Sequence, residues 1–334
     1  MQTVDGFTHR PGNHCGSTSL RNLADHYGWG FDEPQAFGLA AGLGFTYFEL
    51  PESPWRAFFG RPLWLEVAFF EYLDIGHDHR EGGDWATTWD RLTAAVDRDD
   101  PVMVFSDIYY LDYYGTDTHF SPHSLLVVGY EEGEEDRVLL GDSEFDEPQE
   151  LPAERLRAAM NTDHVSPLTN RHLVVTDPEL GREPAAAARN AIAEVATYMQ
   201  DPETASRPTG PGTHGVPGIE RFAADLPEFV DLPDPSWATR FAYQNVERRG
   251  TGGGAFRRMY ADFLADAPCA VPADLAAEMA GIADDWTALS ETLREASEAG
   301  EAEMAPLLEE ASDGVAAVAE RERACFERLV AAID

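Results

Sequence analysis

The stretch that decides the fold is Asn13-His14-Cys15-Gly16-Ser17-Thr18-Ser19-Leu20-Arg21-Asn22-Leu23. Residues 17–27 are predicted to form a helix, because apolar side chains recur on one face and Gly28 follows as a C-cap. Either Ser17 or Thr18 is the expected N-cap. A cysteine just before a helix gains thiolate character, since the unpaired N–H groups and the helix dipole favour negative charge. We therefore interpret Cys15 as a candidate nucleophile; the alternative is a buried packing residue.

Length and composition indicate a globular protein with room for two domains. The chain has 334 residues, of which 43% are hydrophobic and 11% aromatic. No run of about 20 apolar residues is available to span a membrane. The N-terminus lacks the basic start and apolar core of a secretion signal. We therefore expect a cytoplasmic protein that does not contact a membrane.

The charge is strongly negative and spread along the whole chain. The formal net charge is −37, from 61 acidic residues against 24 basic ones, and every one of those basic residues is arginine. Such a surface is typical of a halophilic protein, in which concentrated salt screens the self-repulsion. The competing interpretation is an acidic protein with a basic partner. Nucleic-acid binding is not expected in either case, since like charges repel the phosphates.

The three cysteines lie far apart, at positions 15, 269 and 325. No CxxC pair occurs, so the sequence indicates neither a structural zinc site nor a disulfide framework. We expect no metal and no bound cofactor. Cys269 and Cys325 are interpreted as unreactive packing residues.

The order of the predicted elements indicates an α+β fold with an antiparallel sheet. A short helix in 38–44 precedes a strand at 45–48, and an amphipathic helix covers 85–96. Further strands are predicted at 101–105, 123–130, 137–141 and 171–175. After residue 177 the pattern becomes helical, with long helices at 274–297 and 301–333. We predict a catalytic domain at 1–178 and a helical accessory domain at 186–334.

The candidate base is His123, because it begins an apolar strand that gives the ring a rigid support. Asp142 directly follows the next strand, and an acidic turn at 131–136 joins the two. In an antiparallel hairpin the start of one strand lies beside the end of the other. Asp142 is therefore predicted to accept a hydrogen bond from Nδ1 of His123 and to fix its tautomer. The order Cys, His, Asp parallels the order Cys, His, Asn of papain.

Other polar groups around Cys15 have more than one possible role. His119, in the loop before the strand, is the rival base. His9 and His14 flank the nucleophile and are either oxyanion or substrate-binding groups or bystanders. The Cys15 N–H is the expected oxyanion donor, and Gly16 allows a substrate carbonyl to approach closely. Asn13 is a further substrate-binding candidate near the thiol.

These motifs resemble a known family. The run from His14 to Leu23, the strand His123-Ser124-Leu125-Leu126-Val127-Val128-Gly129-Tyr130 and the pair Gly141-Asp142 are similar to the N-terminal domain of the butirosin biosynthesis protein H family. That family is papain-like and is related to peptidases that trim double-glycine leaders. The run Glu247-Arg248-Arg249-Gly250-Thr251-Gly252-Gly253-Gly254, followed by Phe256-Arg257-Arg258-Met259-Tyr260, resembles the uncharacterised helical domain that commonly follows it.

The resemblance implies a papain-like fold and an acyltransferase reaction. The family's named member moves an aminoacyl group from the phosphopantetheine thioester of an acyl carrier protein to a small-molecule amine. Cys15 would form the acyl-enzyme and His123 would act as base in aminolysis. The related peptidases carry a glutamine six residues before the cysteine, whereas this chain has His9, which disfavours peptidase activity.

The glycine-rich segment of the second domain has two interpretations. Its amides, with Arg248, Arg249, Gly252 and Gly253 as binding residues and Arg257 and Arg258 nearby, could cradle a pantetheine phosphate. The glycines could instead allow two helices to cross closely. No strand precedes the segment, so it does not match a nucleotide-binding fingerprint.

The leading hypothesis is a thiol acyltransferase that uses a carrier-protein or other acyl thioester donor and a small-molecule amine acceptor. The alternative enzyme is a papain-like cysteine peptidase or amidase that uses water instead of an amine. The alternative without catalysis is a module that binds a carrier protein or a leader peptide.

Overall fold

The computed structural model of the protein describes residues 1–164, 166–207 and 209–333, without the side chain of Glu301. Val165, Pro208 and Asp334, which fall within the predicted domains, lie outside the described residues. Secondary structure is mixed, with helices and short strands in both halves of the chain.

The strands are β1 (Gln2–Thr3), β2 (Thr46–Glu49), β3 (Arg56–Phe59), β4 (Gly76–Arg80), β5 (Val102–Ser106), β6 (His123–Glu131), β7 (Arg137–Gly141), β8 (Gln149–Pro152), β9 (Asn161–Thr162), β10 (Leu168–Thr169), β11 (His172–Asp177) and β12 (Thr213–His214). The α-helices are α1 (Cys15–Tyr27), α2 (Glu33–Leu39), α3 (Leu65–Leu73), α4 (Trp85–Val96), α5 (Ala153–Ala159), α6 (Pro184–Gln200), α7 (Gly215–Asp225), α8 (Pro235–Glu247), α9 (Arg257–Ala265), α10 (Ala273–Glu298) and α11 (Glu301–Ile333).

The chain packs into two compact units. The first consists of Met1–Ala36 and Leu73–Gly181, and the second of Phe37–Tyr72 and Arg182–Asp334. The step from 181 to 182 falls inside the predicted boundary region, 178–186. The first unit differs from the predicted domain 1–178 because it lacks residues 37–72. Those residues belong to the second unit since Phe45, on the segment that leads into β2, stacks on Trp286 of α10, with ring centroids 5.9 Å apart.

The first unit is built on a seven-stranded antiparallel sheet. The strand order is β4-β11-β5-β6-β7-β8, and β1 also pairs with β6. α4 and α5 contribute Leu92 and Leu156 to the core on one face, where they pack with Leu125 and Val127 of β6. Leu125 and Val127 are two positions apart and so lie on the same face of the sheet, and the intervening residues of β6 are buried as well. The predicted α+β class with an antiparallel sheet is confirmed.

One predicted helix is displaced along the chain. The sequence indicated a helix in 38–44, whereas α2 begins at Glu33 and ends at Leu39. Ala41 adopts a left-handed conformation, with φ of 49°, which a continuing right-handed helix cannot contain. The strand predicted after it is present as β2, although it starts at Thr46 rather than residue 45.

The second unit is mainly helical and contains a small three-stranded sheet in the order β12-β2-β3. α10 and α11 match the two long helices predicted at 274–297 and 301–333 to within one residue. The helical character of the C-terminal part is therefore confirmed. Among the helices of the described residues, none combines the length and the apolar character that crossing a membrane requires.

A fully buried ion pair ties together the helices of the second unit. The Arg257 guanidinium donates to both carboxylate oxygens of Glu322, at 2.8 and 2.9 Å, and both side chains are 0% exposed. Trp286 Nε1 donates to the same carboxylate at 2.8 Å, and Gly44 O accepts a further hydrogen bond from Arg257. The network links α9, α10 and α11 with the segment before β2.

Replacing Arg257 should destabilise the protein strongly, because it leaves the Glu322 carboxylate buried and unpaired. We expect Arg257→Met to lower the free energy of unfolding by about 3–5 kcal/mol. The matched control is Arg258→Met, which removes an exposed pair with Asp284 and should cost less than about 1 kcal/mol. Urea unfolding measures both variants. Equal costs for the two substitutions would contradict the structural role of the buried pair.

Candidate active site

Cys15 is the first residue of α1, and the helix is capped by the residue before it. His14 has extended backbone angles, and its Nδ1 accepts a hydrogen bond from the Ser17 N–H at 3.2 Å. The prediction that Ser17 or Thr18 caps the helix is therefore wrong, because the helix begins two residues earlier and both hydroxyls donate elsewhere. Gly28 is the left-handed C-cap, as predicted. The Cys15 sulfur thus lies at the positive end of the helix dipole.

The carboxylate of Glu33 holds the segment that leads into the helix. Its Oε1 accepts from the backbone N–H groups of Asn13 and His14, each at 3.0 Å. The hydroxyls of Ser17 and Thr18 donate to the same oxygen, also at 3.0 Å. Glu33 is only 7% exposed. A buried carboxylate with this many donors fixes the backbone around Cys15.

The opposite side of the same segment is held by α1 itself and by the turn after β7. Arg21 Nη2 donates to the carbonyl oxygens of Arg10 and Pro11 at 2.6 and 3.0 Å. Gly12 N donates to Ser143 O at 3.0 Å, and a Cβ at Gly12 would lie 2.1 Å from Thr18 Oγ1. Only glycine fits there, and the contact joins the nucleophile segment to the loop that carries Asp142.

His123 and Asp142 form a buried pair beside the helix start. His123 Nε2 lies 3.0 Å from Asp142 Oδ2, and the two residues are 4% and 0% exposed. The hairpin prediction placed them together correctly, but its assignment of the bond to Nδ1 is wrong. The β6–β7 ladder ends at the pair Leu126–Gly141, so Asp142 lies beyond the ladder and meets the far nitrogen of the ring. His123 also shares a side-chain hydrogen bond with the Cys15 thiol.

Two tyrosines complete the surroundings of Asp142. Tyr113 Oη donates to Oδ2 at 2.9 Å, and Tyr114 Oη donates to Oδ1 at 3.1 Å. Both rings pack edge-on against Phe145, with centroids 5.0 and 5.2 Å from it. Burial and the Asp142 charge raise the pKa of each tyrosine, so both remain neutral donors.

The ionisable groups of the site change one another's pKa values in the directions that favour an ion pair. Burial alone would raise the pKa of the Cys15 thiol, but His14 and His123 outweigh it through charge and hydrogen bonds, so the pKa lies well below its usual value. Burial opposes the charged form of His123, yet Asp142 and Cys15 raise its pKa well above the usual range. The pKa of Asp142 is lowered despite its burial, mainly by His123. This arrangement favours a thiolate beside an imidazolium.

Glu144 is a further acidic group at the edge of the site. Partial burial raises the pKa of its carboxyl, His123 opposes this shift, and the negative charges of Asp142 and Cys15 add to it. Its backbone N–H lies 3.4 Å from Asp142 Oδ1. Glu144 therefore brings a carboxyl group close to the thiolate, while its backbone N–H donates to the Asp142 carboxylate.

The rival base, His119, belongs to a separate cluster. Its Nδ1 lies 2.7 Å from Oδ2 of the fully buried Asp107. Its ring is stacked between those of Tyr109 and His164, with centroids 4.1 and 3.8 Å away. Asp107 also accepts from the Phe120 N–H, so the pair organises the loop before β6. The geometry favours His123 over His119 as the partner of Cys15.

The remaining candidates of the first unit lie around the helix start. His9 Nε2 lies 2.8 Å from Phe145 O, so this ring is engaged by the loop after β7. Asn13 is exposed, and its Nδ2 lies 3.4 Å from Glu33 Oε2. Gly16 is in the first turn of α1, where the N–H groups of Cys15 and Gly16 have no acceptor within the helix. Both residues are buried, and an N–H at a helix start can donate to a substrate oxygen that reaches it.

The glycine-rich segment lies in the second unit and favours the packing interpretation. Gly254 N donates to Glu247 Oε1 at 3.0 Å, and Gly253 N donates to Thr251 Oγ1 at 3.2 Å. A Cβ at Gly254 would lie 2.8 Å from Ala283 O of α10. The glycines thus allow the segment to approach α10 closely. The Glu247 carboxylate already accepts from the Gly254 N–H, which is an amide that a phosphate would need as a donor. Gly252 has a φ of 67°, which glycine adopts readily.

The arginines near this segment are engaged by other groups of the protein. Arg248 Nε donates to Tyr243 Oη at 3.0 Å. The Arg249 guanidinium lies 4.2 Å from the centroid of the Phe241 ring. Arg257 is buried on Glu322, and Arg258 is paired with Asp284. Their predicted role as a phosphate cradle has no support in this geometry.

Sequence reasoning missed Glu33, Tyr113, Tyr114 and Glu144. The loop that precedes His123 is rich in tyrosine, and this enrichment is the sequence signal that would have suggested Tyr113 and Tyr114. Within the described residues, no group of three or more His, Cys, Asp or Glu side chains is placed to hold a metal ion.

Two family models match the chain. The one described as Butirosin biosynthesis protein H, N-terminal, matches residues 14–143. The other, a domain of unknown function (DUF4872), matches residues 154–329, more than half of the chain. The first match begins at His14 and includes Cys15, His123 and Asp142. No curated protein matches the chain.

Alkylation should distinguish Cys15 from the other two cysteines. Burial raises the pKa of the Cys269 thiol, and burial with nearby carboxylates raises that of Cys325 to about 12. Since the thiolate is the reacting form, iodoacetamide at about pH 6 should label Cys15 at least tenfold faster than either. Peptide mass spectrometry over time measures the three rates. Equal rates at the three positions would show that Cys15 carries no special thiolate character.

Proposed function

Because the chain belongs to the DUF4872 family and its residues 14–143 match the model of Butirosin biosynthesis protein H, N-terminal, we propose that it is a cysteine-dependent acyltransferase. The observation that carries the proposal is the buried hydrogen-bonded chain from Cys15 through His123 to Asp142. A thiol nucleophile, a base and a group that orients the base are the three parts of a covalent acyl-transfer site.

The first half-reaction loads the acyl group onto Cys15. The thiolate attacks the carbonyl carbon of an acyl thioester, and we assign the N–H groups of Cys15 and Gly16, at the helix start, as the donors that stabilise the oxyanion. When the intermediate collapses, the donor thiol leaves with the proton of the His123 imidazolium. His123 is then neutral, and its Nδ1 is free to accept a proton. The donor class that fits is a phosphopantetheine thioester, free or on a carrier protein.

The second half-reaction passes the acyl group to a small-molecule amine. The amine attacks the acyl-Cys15 carbonyl, and His123 takes a proton from the amine nitrogen. Collapse forms the amide and releases Cys15 as thiolate, which regenerates the starting ion pair. The buried Asp142 carboxylate supports this step, since it makes His123 a stronger base than a neutral partner would. Water in place of the amine would make the protein a peptidase or amidase.

Trapping the acyl-enzyme tests the proposed function. Incubation with a short acyl thioester of N-acetylcysteamine, which mimics the end of phosphopantetheine, should add one acyl mass at Cys15, seen by intact and peptide mass spectrometry. The adduct should decay faster as primary amine is added, and the matching amide should accumulate. Cys15→Ser is the control and should give no thioester adduct.

Two outcomes would contradict the proposal. Decay that is fast in water and unchanged by every amine tested would favour a hydrolase. If Cys15 reacts with iodoacetamide but forms no adduct with the acyl thioester, the result would favour a binding module without acyl transfer.

A further inference from the structure

Asp142 is a buried carboxylate whose hydrogen bonds are divided between one imidazole and two phenols. It is 0% exposed, and within the described part of the chain its ion pair is with His123 alone, at 3.0 Å. Tyr113 Oη donates to the same carboxylate oxygen as His123, at 2.9 Å, and Tyr114 Oη donates to the other oxygen at 3.1 Å. A hydrogen bond to an ionised acceptor is stronger than one between neutral groups. Each oxygen of Asp142 is therefore stabilised by a phenol.

The two tyrosines reach the carboxylate from a single 3-10 turn, Asp112–Tyr114. Their rings pack together with centroids 5.3 Å apart, and Phe145 lies edge-on against both. Gly115 ends the turn in a left-handed conformation, and Leu111, which precedes the turn, is 1% exposed. Packing of the rings and of Leu111 holds the turn in place. Removal of one hydroxyl should therefore leave the ring where it is.

Tyr114 also contacts the imidazole itself. Its Oη lies 3.3 Å from His123 Nε2, and the two rings meet edge-on with centroids 5.7 Å apart. The hydrogen on Nε2 therefore points towards the oxygens of Asp142 and Tyr114, so the proton that the base gains and loses is the one on Nδ1. Because the Nε2 hydrogen is present in both forms of the ring, this contact orients His123 without favouring either form.

The proposed reaction needs His123 in two charge states. During loading, the Cys15 thiolate bonds to the acyl carbon, and the imidazolium proton leaves with the donor thiol. His123 must then stay neutral, because the amine nitrogen gives its proton to Nδ1 as the C–N bond forms and the C–S bond breaks. The products are the amide, the Cys15 thiolate and the imidazolium, so atoms and charge balance. A carboxylate that directed its full charge at the ring would hold the Nδ1 proton and remove the base.

We propose that Tyr113 and Tyr114 are positioning residues that disperse the charge of Asp142, so that the carboxylate orients His123 and still lets the ring lose its proton once Cys15 is acylated. The consequence for the acyl-enzyme rests on the proposed function, whereas the effect of the phenols on His123 does not. Neutral donors suit this task. Burial and the Asp142 charge raise the pKa of both tyrosines, so they keep their protons and add no charge of their own.

The other charged groups around Asp142 do not replace the phenols. Cys15, at the start of α1, acts on His123 only until it is acylated. Glu144, after β7, donates its backbone N–H to Asp142 Oδ1 at 3.4 Å, and partial burial raises the pKa of its carboxyl. His9 of the N-terminal segment reaches the same turn through Phe145 O, at 2.8 Å. In the described part of the chain, the side chains that donate to Asp142 are those of His123 and the two tyrosines.

The test is the titration of His123 in the full-length protein, followed by nuclear magnetic resonance with ¹⁵N-labelled histidine. A Cys15→Ser background lacks the thiolate, as the acyl-enzyme does, and loss of the signal in His123→Gln assigns it. We expect Tyr113→Phe and Tyr114→Phe each to raise the midpoint by about 0.5–1 unit, which is a roughly three- to tenfold higher proton affinity. Both substitutions together should raise it further. If the tyrosines only held the site together, their loss would loosen the contact between Asp142 and the ring and lower the midpoint.

Tyr130→Phe in the same background is the matched control, because it removes a tyrosine–aspartate hydrogen bond, to Asp97 at 2.8 Å, near the other end of β6. Its midpoint should equal that of Cys15→Ser alone, and near-UV circular dichroism checks that each variant is folded. An unchanged or lowered midpoint in folded Tyr113→Phe or Tyr114→Phe would overturn the proposal. The titration needs no acyl donor, so a raised midpoint together with no thioester adduct on the unmodified protein would support the role of the tyrosines while rejecting the acyltransferase.

Discussion

The carboxylate of Glu33 accepts hydrogen bonds from two successive backbone N–H groups and two hydroxyls around the start of α1, and this interaction determines where the nucleophile lies. A buried carboxylate must find donors to offset its desolvation, and these four are supplied by the residues that flank Cys15. The position of the sulfur then depends on the helix start, and the His14 cap depends on the Ser17 N–H being in place. The β6–β7 hairpin then brings His123 and Asp142 next to Cys15, whose position these contacts have already fixed.

The site favours a thiolate anion, although the chain as a whole is strongly negative. A protein with a net charge of −37 disfavours a further anion, and Glu144 adds local repulsion at Cys15. The helix dipole and the two imidazoles offset this effect, while the neutral tyrosines share the charge of Asp142. Concentrated salt would screen the exposed carboxylates far more than these buried contacts. We propose that the acidic surface and the ion pair are therefore largely independent.

Local patterns predicted the elements of the site, whereas contacts between distant residues were not predictable. The helix after Cys15 follows from its apolar spacing, and the nearness of His123 and Asp142 follows from two apolar strands and a short acidic turn. Glu33 belongs to no periodic pattern. Its contacts depend on the path of the loop after Gly28, which brings the Glu33 carboxylate back to the start of α1. Residues 37–72 carry apolar runs that fit either unit, so their packing around Phe45 and Trp286 could not be inferred. The nitrogen of His123 that meets Asp142 depends on where the ladder ends.

We infer that Cys15 and His123 exist as a thiolate–imidazolium pair held by Asp142. Nuclear magnetic resonance of the protein with ¹⁵N-labelled histidine reports directly on the protons of the His123 ring. We expect that at neutral pH both nitrogens of His123 carry protons, and that Cys15→Ser, which removes the thiolate, lowers the pH at which the ring becomes neutral. A His123 ring that is neutral at pH 7 and titrates identically in both proteins would contradict it.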